Sequence, residues 1–234
     1  FFSVLPLGFI VFLGLLPTDR DTTELVSNLA GINPAYRGMT TAEGFQALMG
    51  QQMALLFLLL PTILTSIIAS FSIVGEKTGR TLEPLLATPV KTHELLLAKA
   101  LSALIPAVVA TWAASIVFLI GLQFVVLTSR VYAAVVSPGW LIGLVLGTPV
   151  LGLITVALTV AVSSRANDPR SAQQISVLMI IPVMLVFFGQ ITGLLVLSPF
   201  VAIAGIAILS LIAVFTVWLA VRVFQRESIL TRWT

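Results

Sequence analysis

The sequence has no cysteine, one histidine and few charges: Asp, Glu, Lys and Arg make up 9% of its 234 residues. Without cysteine the chain forms no disulfide, no thiolate metal site and no cysteine nucleophile, and its redox compartment is left undetermined. The single histidine, His93, excludes a His-based zinc site built from one chain. So small a charged fraction does not cover a normal water-facing surface.

The chain is rich in apolar residues. Hydrophobic residues make up 59% of the chain, and its mean hydropathy is +1.13. They come in runs of about 20 residues, which is the length of a membrane-spanning helix, and they lack the alternation of a membrane β-barrel. The composition therefore predicts an all-α integral membrane protein.

The apolar runs predict six transmembrane helices in a single domain covering residues 1–234. They lie at about 1–16, 53–74, 95–128, 138–162, 172–188 and 200–221. The first run is shorter than the roughly 20 residues of a span, so we expect a missing N-terminal segment before Phe1. The long polar segment 18–49 is predicted to be a loop, and the loosely helical spacing of Glu24, Leu25 and Leu29 and of Phe45, Leu48 and Met49 allows short amphipathic helices within it. Gly189 to Pro199 is predicted to be a tight turn or a short re-entrant element.

The basic residues are distributed unevenly between the two sides of this topology. One side holds Lys77, Arg80, Lys91, Lys99, Arg165, Arg170, Arg222, Arg226 and Arg232, and the other holds Arg20, Arg37 and Arg130. The positive-inside rule places the richer side in the cytoplasm. We therefore expect a multi-pass protein of the cell membrane, with loops 75–99 and 163–171 and the C-terminus cytoplasmic and loop 18–49 external.

Apart from Lys99 at the start of the third span, the predicted spans carry no charge that could drive transport. No Asp, Glu, Lys, Arg or His occurs within 44–75, 100–129, 131–164 or 171–221. Ion-driven carriers usually need such residues inside the membrane. The nucleotide-binding pattern G-x-x-x-x-G-K-[ST] is also absent, so energy has to reach this chain from a partner.

Uncharged polar residues and glycines in or near the spans allow two interpretations each. The glutamines either line a path or bond to neighbouring helices, and the second is the default: Gln51, Gln52, Gln123, Gln173, Gln174 and Gln190. The spacings Gly143-x-x-x-Gly147, extended by Gly152, and Gly189-x-x-x-Gly193 fit close helix packing, although such spacings are common in membrane helices.

The charged stretch from Gly75 to Lys99 is the most structured of the predicted loops. Thr81 is a good N-cap, and Pro84 falls in the first turn, where a missing N–H costs little. Leucines then recur on one face, at Leu82, Leu85 and Leu86. The pattern predicts a short cytoplasmic amphipathic helix between spans two and three, although a basic loop that only anchors the topology is the simpler alternative.

This stretch, GEKTGRTLEPLLATPVKTHELLLAKAL, resembles the E-K/R-x-x-G-T-L-E-x-L-L-x-T-P-V-x-x-x-E-L-L-x-x-K signature of the permease subunits of type 2 ATP-binding-cassette (ABC) exporters. Arg80, between Gly79 and Thr81, is a small departure. Ser163–Ser176 and Phe224–Trp233 resemble the second cytoplasmic loop and the C-terminal end of the same permeases.

The resemblance implies that the 75–99 loop is a coupling element that docks on a separate ATPase subunit. It places these residues at the contact: Glu76, Lys77, Gly79, Arg80, Thr81, Leu82, Glu83, Leu85, Leu86, Thr88 and Pro89. The leucines would fill an apolar groove, and Glu76 and Glu83 would pair with basic groups of the partner.

The expected function is that of a permease subunit of an ATP-driven exporter, which moves an unidentified substrate across the cytoplasmic membrane. The expected partners are an ABC ATPase, a second permease subunit (identical or different) and membrane lipid, with no nucleic acid. We expect no catalytic residue, metal or cofactor on this chain, with ATP and Mg on the ATPase. The alternative is a non-transporting membrane anchor or assembly protein that recruits a cytoplasmic partner through the same loop.

Overall fold

The computed structural model describes residues 3–14, 20–78, 92–163, 174, 180–192 and 198–223. Within these ranges the chain is helical, apart from short turns, and contains no strand. The predicted all-α class is thus confirmed.

Ten α-helices occupy the described ranges. They are α1 (Val4–Gly14), α2 (Arg20–Ile32), α3 (Thr41–Leu56), α4 (Leu60–Thr78), α5 (Thr92–Val125), α6 (Ser129–Val135), α7 (Pro138–Ile142), α8 (Thr148–Ser163), α9 (Ile180–Ile191) and α10 (Pro199–Val223). The 3₁₀ turn Pro34–Tyr36 lies between α2 and α3, and Phe57–Leu59 joins α3 to α4. A π-helical segment, Gly143–Gly147, joins α7 to α8.

Four helical stretches of the described chain are long and apolar enough to cross a membrane: Thr41–Ser72, Leu97–Val125, Pro138–Val162 and Pro199–Arg222. The last three agree with the predictions of spans at 95–128, 138–162 and 200–221. The described parts of helices α1 and α9 have 11 and 12 residues, fewer than the roughly 20 that a span needs. The chain is therefore a multi-pass membrane protein, but the prediction of six spans is not confirmed.

The helical stretch that contains the second predicted span begins earlier than expected, at Thr41 and not near Met53. Helix α2, at Arg20–Ile32, agrees with the helical spacing noted within the 18–49 segment. A capping box fixes this start: Glu43 N–H donates to Thr40 Oγ1 over 3.3 Å, and Thr40 N–H donates to Glu43 Oε2 over 2.8 Å. Two N–H groups of the helix end gain partners in this way.

The described helices fall into two compact units, of which the first comprises 1–58, 111–145 and 182–205. In this unit α3 packs against α1, α2 and α6. A Cβ added at Gly44 would lie 2.4 Å from Val26 Cγ1, and one at Gly50 would lie 2.6 Å from Val135 Cγ2. The two glycines therefore let α3 approach its neighbours closely.

The second unit comprises 59–110, 146–181 and 206–234, and in it α4 packs against α8. Its core contains small and β-branched side chains: Ala69, Ala103, Val156 and Val160. A Cβ at Gly152 would lie 2.5 Å from Leu104 Cδ1, so the predicted close packing is found at Gly152.

At Gly143, in the first unit, no close packing is found within the described chain. A Cβ there would meet nothing within 4 Å. Gly143 opens the π-helical segment instead, and such segments are single local widenings of a helix. Of the second predicted pair, Gly193 lies outside the described residues.

Candidate functional site

The predicted coupling loop lies largely outside the described residues. Glu76 and Lys77 belong to the last turn of α4, which ends at Thr78, and α5 begins at Thr92. The remaining predicted contacts fall between these helices, outside the described ranges: Gly79, Arg80, Thr81, Leu82, Glu83, Leu85, Leu86, Thr88 and Pro89. The amphipathic helix and the ATPase contact therefore stay predictions.

The polar groups that the structure does bring together lie in the first unit. Gln46, only 1% exposed, bonds to three backbone groups that are distant in sequence. Its Oε1 accepts the N–H of Leu127 over 3.0 Å, and its Nε2 donates to the carbonyls of Val125 and Ile10 over 3.4 and 3.5 Å. One side chain of α3 thus ties down the ends of α1 and α5. Gln46 was not among the predicted residues.

Gln51 makes the second cross-connection. Tyr36 Oη–H donates to Gln51 Oε1 over 2.9 Å, and Gln51 Nε2 donates to the carbonyl of Ala134 over 2.8 Å. The default interpretation of the predicted glutamines, bonding to neighbouring elements, is confirmed for Gln51. Gln123 is exposed, and neither amide atom of the buried Gln52 has a partner in the described chain.

Buried hydroxyl groups in the helices bond to their own helix. Thr155 donates to the carbonyl of Leu151 over 2.8 Å, and Thr216 donates to that of Ala213 over 3.0 Å. Such back-bonding satisfies a hydroxyl without a partner from another helix. Thr155 and Thr216 therefore need no hydrogen-bond partner from another helix.

A cavity of about 350 Å³ lies within the first unit. Its wall is formed by the end of α2, the 34–36 turn, α3, α6, the start of α7 and residues at the end of α9 and the start of α10. The lining residues are Leu29, Ile32, Asn33, Pro34, Ala35, Tyr36, Gln51, Leu55, Ala133, Ala134, Val135, Ser137, Pro138, Trp140, Gln190 and Ser198. None carries a charge, and most are apolar, which is typical of sites for small neutral molecules.

Two buried aromatic residues fix the geometry of this wall. Trp140 Nε1–H donates to the carbonyl of Ala54 over 2.9 Å, and Tyr36 is held by Gln51. Both rings are 2% exposed. Burial raises the pKa of the Tyr36 phenol because the phenolate would lose its hydration. Tyr36 is therefore a neutral hydrogen-bond donor at physiological pH.

Gln190 is the exception among the polar residues of the wall. Its side chain is 8% exposed, and its Oε1 has no hydrogen-bond partner in the described part of the chain. A buried amide oxygen without a partner costs about 1–3 kcal/mol. Gln190 thus gives the wall an unused hydrogen-bond acceptor, which is covered from the cavity in this conformation of the side chain.

Sequence reasoning identified only Gln51 and Gln190 among the lining residues. The turn signals Asn33-Pro34 and Ser137-Pro138 stand next to Tyr36 and Trp140, and Tyr and Trp are enriched where membrane helices end. A turn signal next to an aromatic residue was therefore the feature of the sequence from which this wall could have been predicted. The described residues bring together no group of three or more His, Asp or Glu side chains, so no metal ligands are assigned among them.

The comparisons with known proteins agree with the membrane fold. The family model described as "ABC-2 family transporter protein" matches residues 24–167. No curated protein and no solved structure matches the chain significantly. The family match covers more than half of the 234 residues. The chain belongs to the ABC-2 family of transporter membrane proteins.

Proposed function

We propose that this chain is the permease subunit of an ATP-driven exporter and that a separate ATPase subunit docks on its 75–99 loop. ATP and Mg are then bound by the ATPase, and this chain has no catalytic site of its own. The family match carries the proposal, because it runs from residue 24 to residue 167 and includes the whole of this loop. The transported substrate is left open.

The helices on either side of the loop support this role. The apolar stretch of α4 ends at Ser72, but the helix continues to Thr78. On the other side, α5 begins at Thr92, ahead of the apolar stretch that starts at Leu97. Both helices therefore continue past their most apolar part towards the loop. We infer that they project from the membrane and carry the loop.

The same helices suggest how a force applied to the loop reaches the membrane. A helix transmits displacement along its axis because each turn is bonded to the next. In the second unit α4 packs against α8. Gly152 of α8 also allows Leu104 of α5 to approach closely. We propose that ATP binding moves the loop and that α4 and α5 carry this movement into the spans.

The charge distribution supports the proposed orientation. Nine of the twelve basic residues lie on the side of loops 75–99 and 163–171 and the C-terminus, which the positive-inside rule places in the cytoplasm. Segment 18–49 is then external. We also propose that two permease subunits, identical or different, assemble with two ATPase subunits, as the earlier resemblance implies.

The test co-expresses this chain with candidate ABC ATPase subunits from the same organism and asks which of them co-purifies with it. Leu82→Asp places a charge on the apolar face of the loop, and Glu83→Lys reverses a charge expected to pair with the ATPase. Losing one partner of a buried interfacial pair costs about 2–5 kcal/mol. We therefore expect co-purification and ATP-dependent transport to fall by tenfold or more, with membrane insertion unchanged.

Glu24→Lys is the matched control for the charge reversal, because Glu24 is exposed on α2, in the segment proposed to be external. It should leave co-purification unchanged. Full co-purification and transport with both loop variants would refute the docking assignment. A stable complex that hydrolyses ATP and moves no substrate in liposomes would favour the anchor or assembly role.

A further inference from the structure

We infer that the cavity of the first unit is a binding site for a small neutral molecule with an apolar body and one hydroxyl or amide N–H group, which bonds to the side chain of Gln190. This inference goes beyond the proposed ATP-driven transport and does not depend on it. The site belongs to a single chain, since all its lining residues lie in the first unit.

The size of the cavity fits such a ligand. About 350 Å³ lies at the lower end of the roughly 300–1,000 Å³ range of small-molecule sites. The same space would hold about twelve water molecules at about 30 Å³ each. A wall made mainly of Leu, Ile, Val, Pro and Ala offers such waters few partners, whereas it favours an apolar ligand.

The wall also defines the charge of the ligand. No Asp, Glu, Lys, Arg or His is among the described residues that line the cavity. An ion moved into such surroundings loses hydration and gains no opposite charge, which is strongly unfavourable. A carboxylate or an ammonium group is therefore excluded, and a neutral molecule is favoured.

The position of the polar contact follows from which wall groups are already bonded. Trp140 Nε1–H bonds to Ala54, Tyr36 Oη–H bonds to Gln51, and Gln51 Nε2 bonds to Ala134. These groups hold the wall in place. Gln190 Oε1 is the buried side-chain atom of the wall that lacks a partner among the described residues. The complement of this acceptor is a donor on the ligand, which meets it once the terminal amide of Gln190 turns towards the cavity.

The experiment measures binding by fluorescence quenching of Trp140. Trp112, Trp218 and Trp233 are replaced by Phe, so that Trp140 is the remaining tryptophan of the four. The full chain is purified in lipid nanodiscs without the ATPase and titrated at neutral pH with 4-bromophenol, whose bromine quenches a nearby indole. The matched compounds are 4-bromoanisole, which lacks the donor, and 4-bromobenzoate, which is charged.

We expect saturable quenching by 4-bromophenol, weaker binding of 4-bromoanisole and no saturable binding of 4-bromobenzoate. Gln190→Leu should weaken 4-bromophenol binding about three- to tenfold, which is the effect of one hydrogen bond, and leave 4-bromoanisole unchanged. Gln123→Leu is the matched control, because Gln123 is exposed and does not line the cavity. It should leave the binding of both compounds unchanged.

A second variant keeps the inference testable if Gln190→Leu does not fold. Ala133→Phe fills part of the cavity and should abolish saturable quenching by both neutral compounds. Quenching that rises linearly and equally in every variant would reflect partition into lipid and would overturn the inference. So would equal weakening of both neutral compounds by Gln190→Leu, or saturable binding of 4-bromobenzoate. None of these results depends on the ATPase, so they are distinct from a failure of the proposed function.

Discussion

Trp140 Nε1–H donates a hydrogen bond of 2.9 Å to the backbone carbonyl of Ala54 at the end of α3. The same carbonyl also accepts the N–H of Phe57, where the helix tightens into its 3₁₀ turn. The indole therefore adds a second bond to a carbonyl that already has one. It fixes the first turn of α7 to α3, although the Ala54 carbonyl would have a hydrogen-bond partner without it.

Trp140→Phe should destabilise the protein by about 2–3 kcal/mol, the sum of one buried hydrogen bond and the volume lost from a packed site. Trp112→Phe is the matched control, because its Nε1–H donates to Leu144 over 3.3 Å and its ring is 38% exposed. We expect a smaller loss there. The free energy of unfolding in mixed micelles measures both, and equal losses would contradict the role given to Trp140.

Among the glutamines of α3, replacing Gln46 should cost the most stability. Gln46→Leu keeps the volume but removes the acceptor for Leu127 N–H and the donor for two carbonyls. Leaving such groups unpaired costs about 1–3 kcal/mol each when buried. We expect a loss of at least about 2 kcal/mol in the free energy of unfolding, against little change for Gln123→Leu at an exposed position. A similar value for both variants would show that the Gln46 bonds contribute nothing.

Two glycines of the fourth predicted span should respond differently to an added side chain. At Gly152 the new Cβ would meet Leu104 Cδ1 at 2.5 Å, whereas at Gly143 it meets nothing within 4 Å. Gly143→Ala should therefore be neutral or slightly stabilising, since alanine favours a helix by up to about 1 kcal/mol. Gly152→Val should cost about 1–3 kcal/mol through overpacking.

The clash at Gly152 can be tested by a double-mutant cycle. Leu104→Ala removes the side chain that meets the added Cβ, so the double variant Gly152→Val/Leu104→Ala should lose less stability than the sum of its single changes. Thermal unfolding of all four proteins in one detergent gives the coupling. Strict additivity would contradict the contact.

The span boundaries that could be predicted are those where a continuous run of apolar residues begins or ends. The helices around 95–128, 138–162 and 200–221 end close to where their apolar runs end. The second span was not extended back to Thr41 because Gly44, Gln46 and Gln51 interrupt the apolar run, although the spacing of Phe45, Leu48 and Met49 is helical. The partners of the two glutamines explain the difference: Gln46 bonds to Leu127, and Gln51 bonds to Ala134.

The cavity could not be predicted for a similar reason. Its wall joins residues from five stretches of the chain, and only packing brings Tyr36, Trp140 and Gln190 to one place. A glutamine in a span indicates a buried polar group, but the sequence does not reveal whether its amide has a hydrogen-bond partner. The pattern therefore gave Gln51 and Gln190 the same interpretation, whereas the structure satisfies both polar ends of the first and leaves Oε1 of the second without a partner.

Tyr36 should make the stability of the protein fall at high pH. Burial raises the pKa of its phenol above the ordinary value, which is about 10 in an unfolded chain. Above about pH 10 the unfolded state therefore releases a proton that the folded state keeps. The unfolded state binds fewer protons, so stability declines as pH rises, by up to about 1.4 kcal/mol per pH unit for one group. Below that pH the contribution of Tyr36 is constant.

Tyr36→Phe separates this effect from the general alkaline sensitivity of a membrane protein. The variant loses the 2.9 Å bond to Gln51 Oε1, so it should be about 1–3 kcal/mol less stable at neutral pH. Because it has no phenol at this position, its stability should decline less steeply above about pH 10. Tyr132→Phe, which alters the other tyrosine of the chain, is the control. Curves for Tyr36→Phe and the parent that run parallel through this range would show that the Tyr36 proton is not linked to folding.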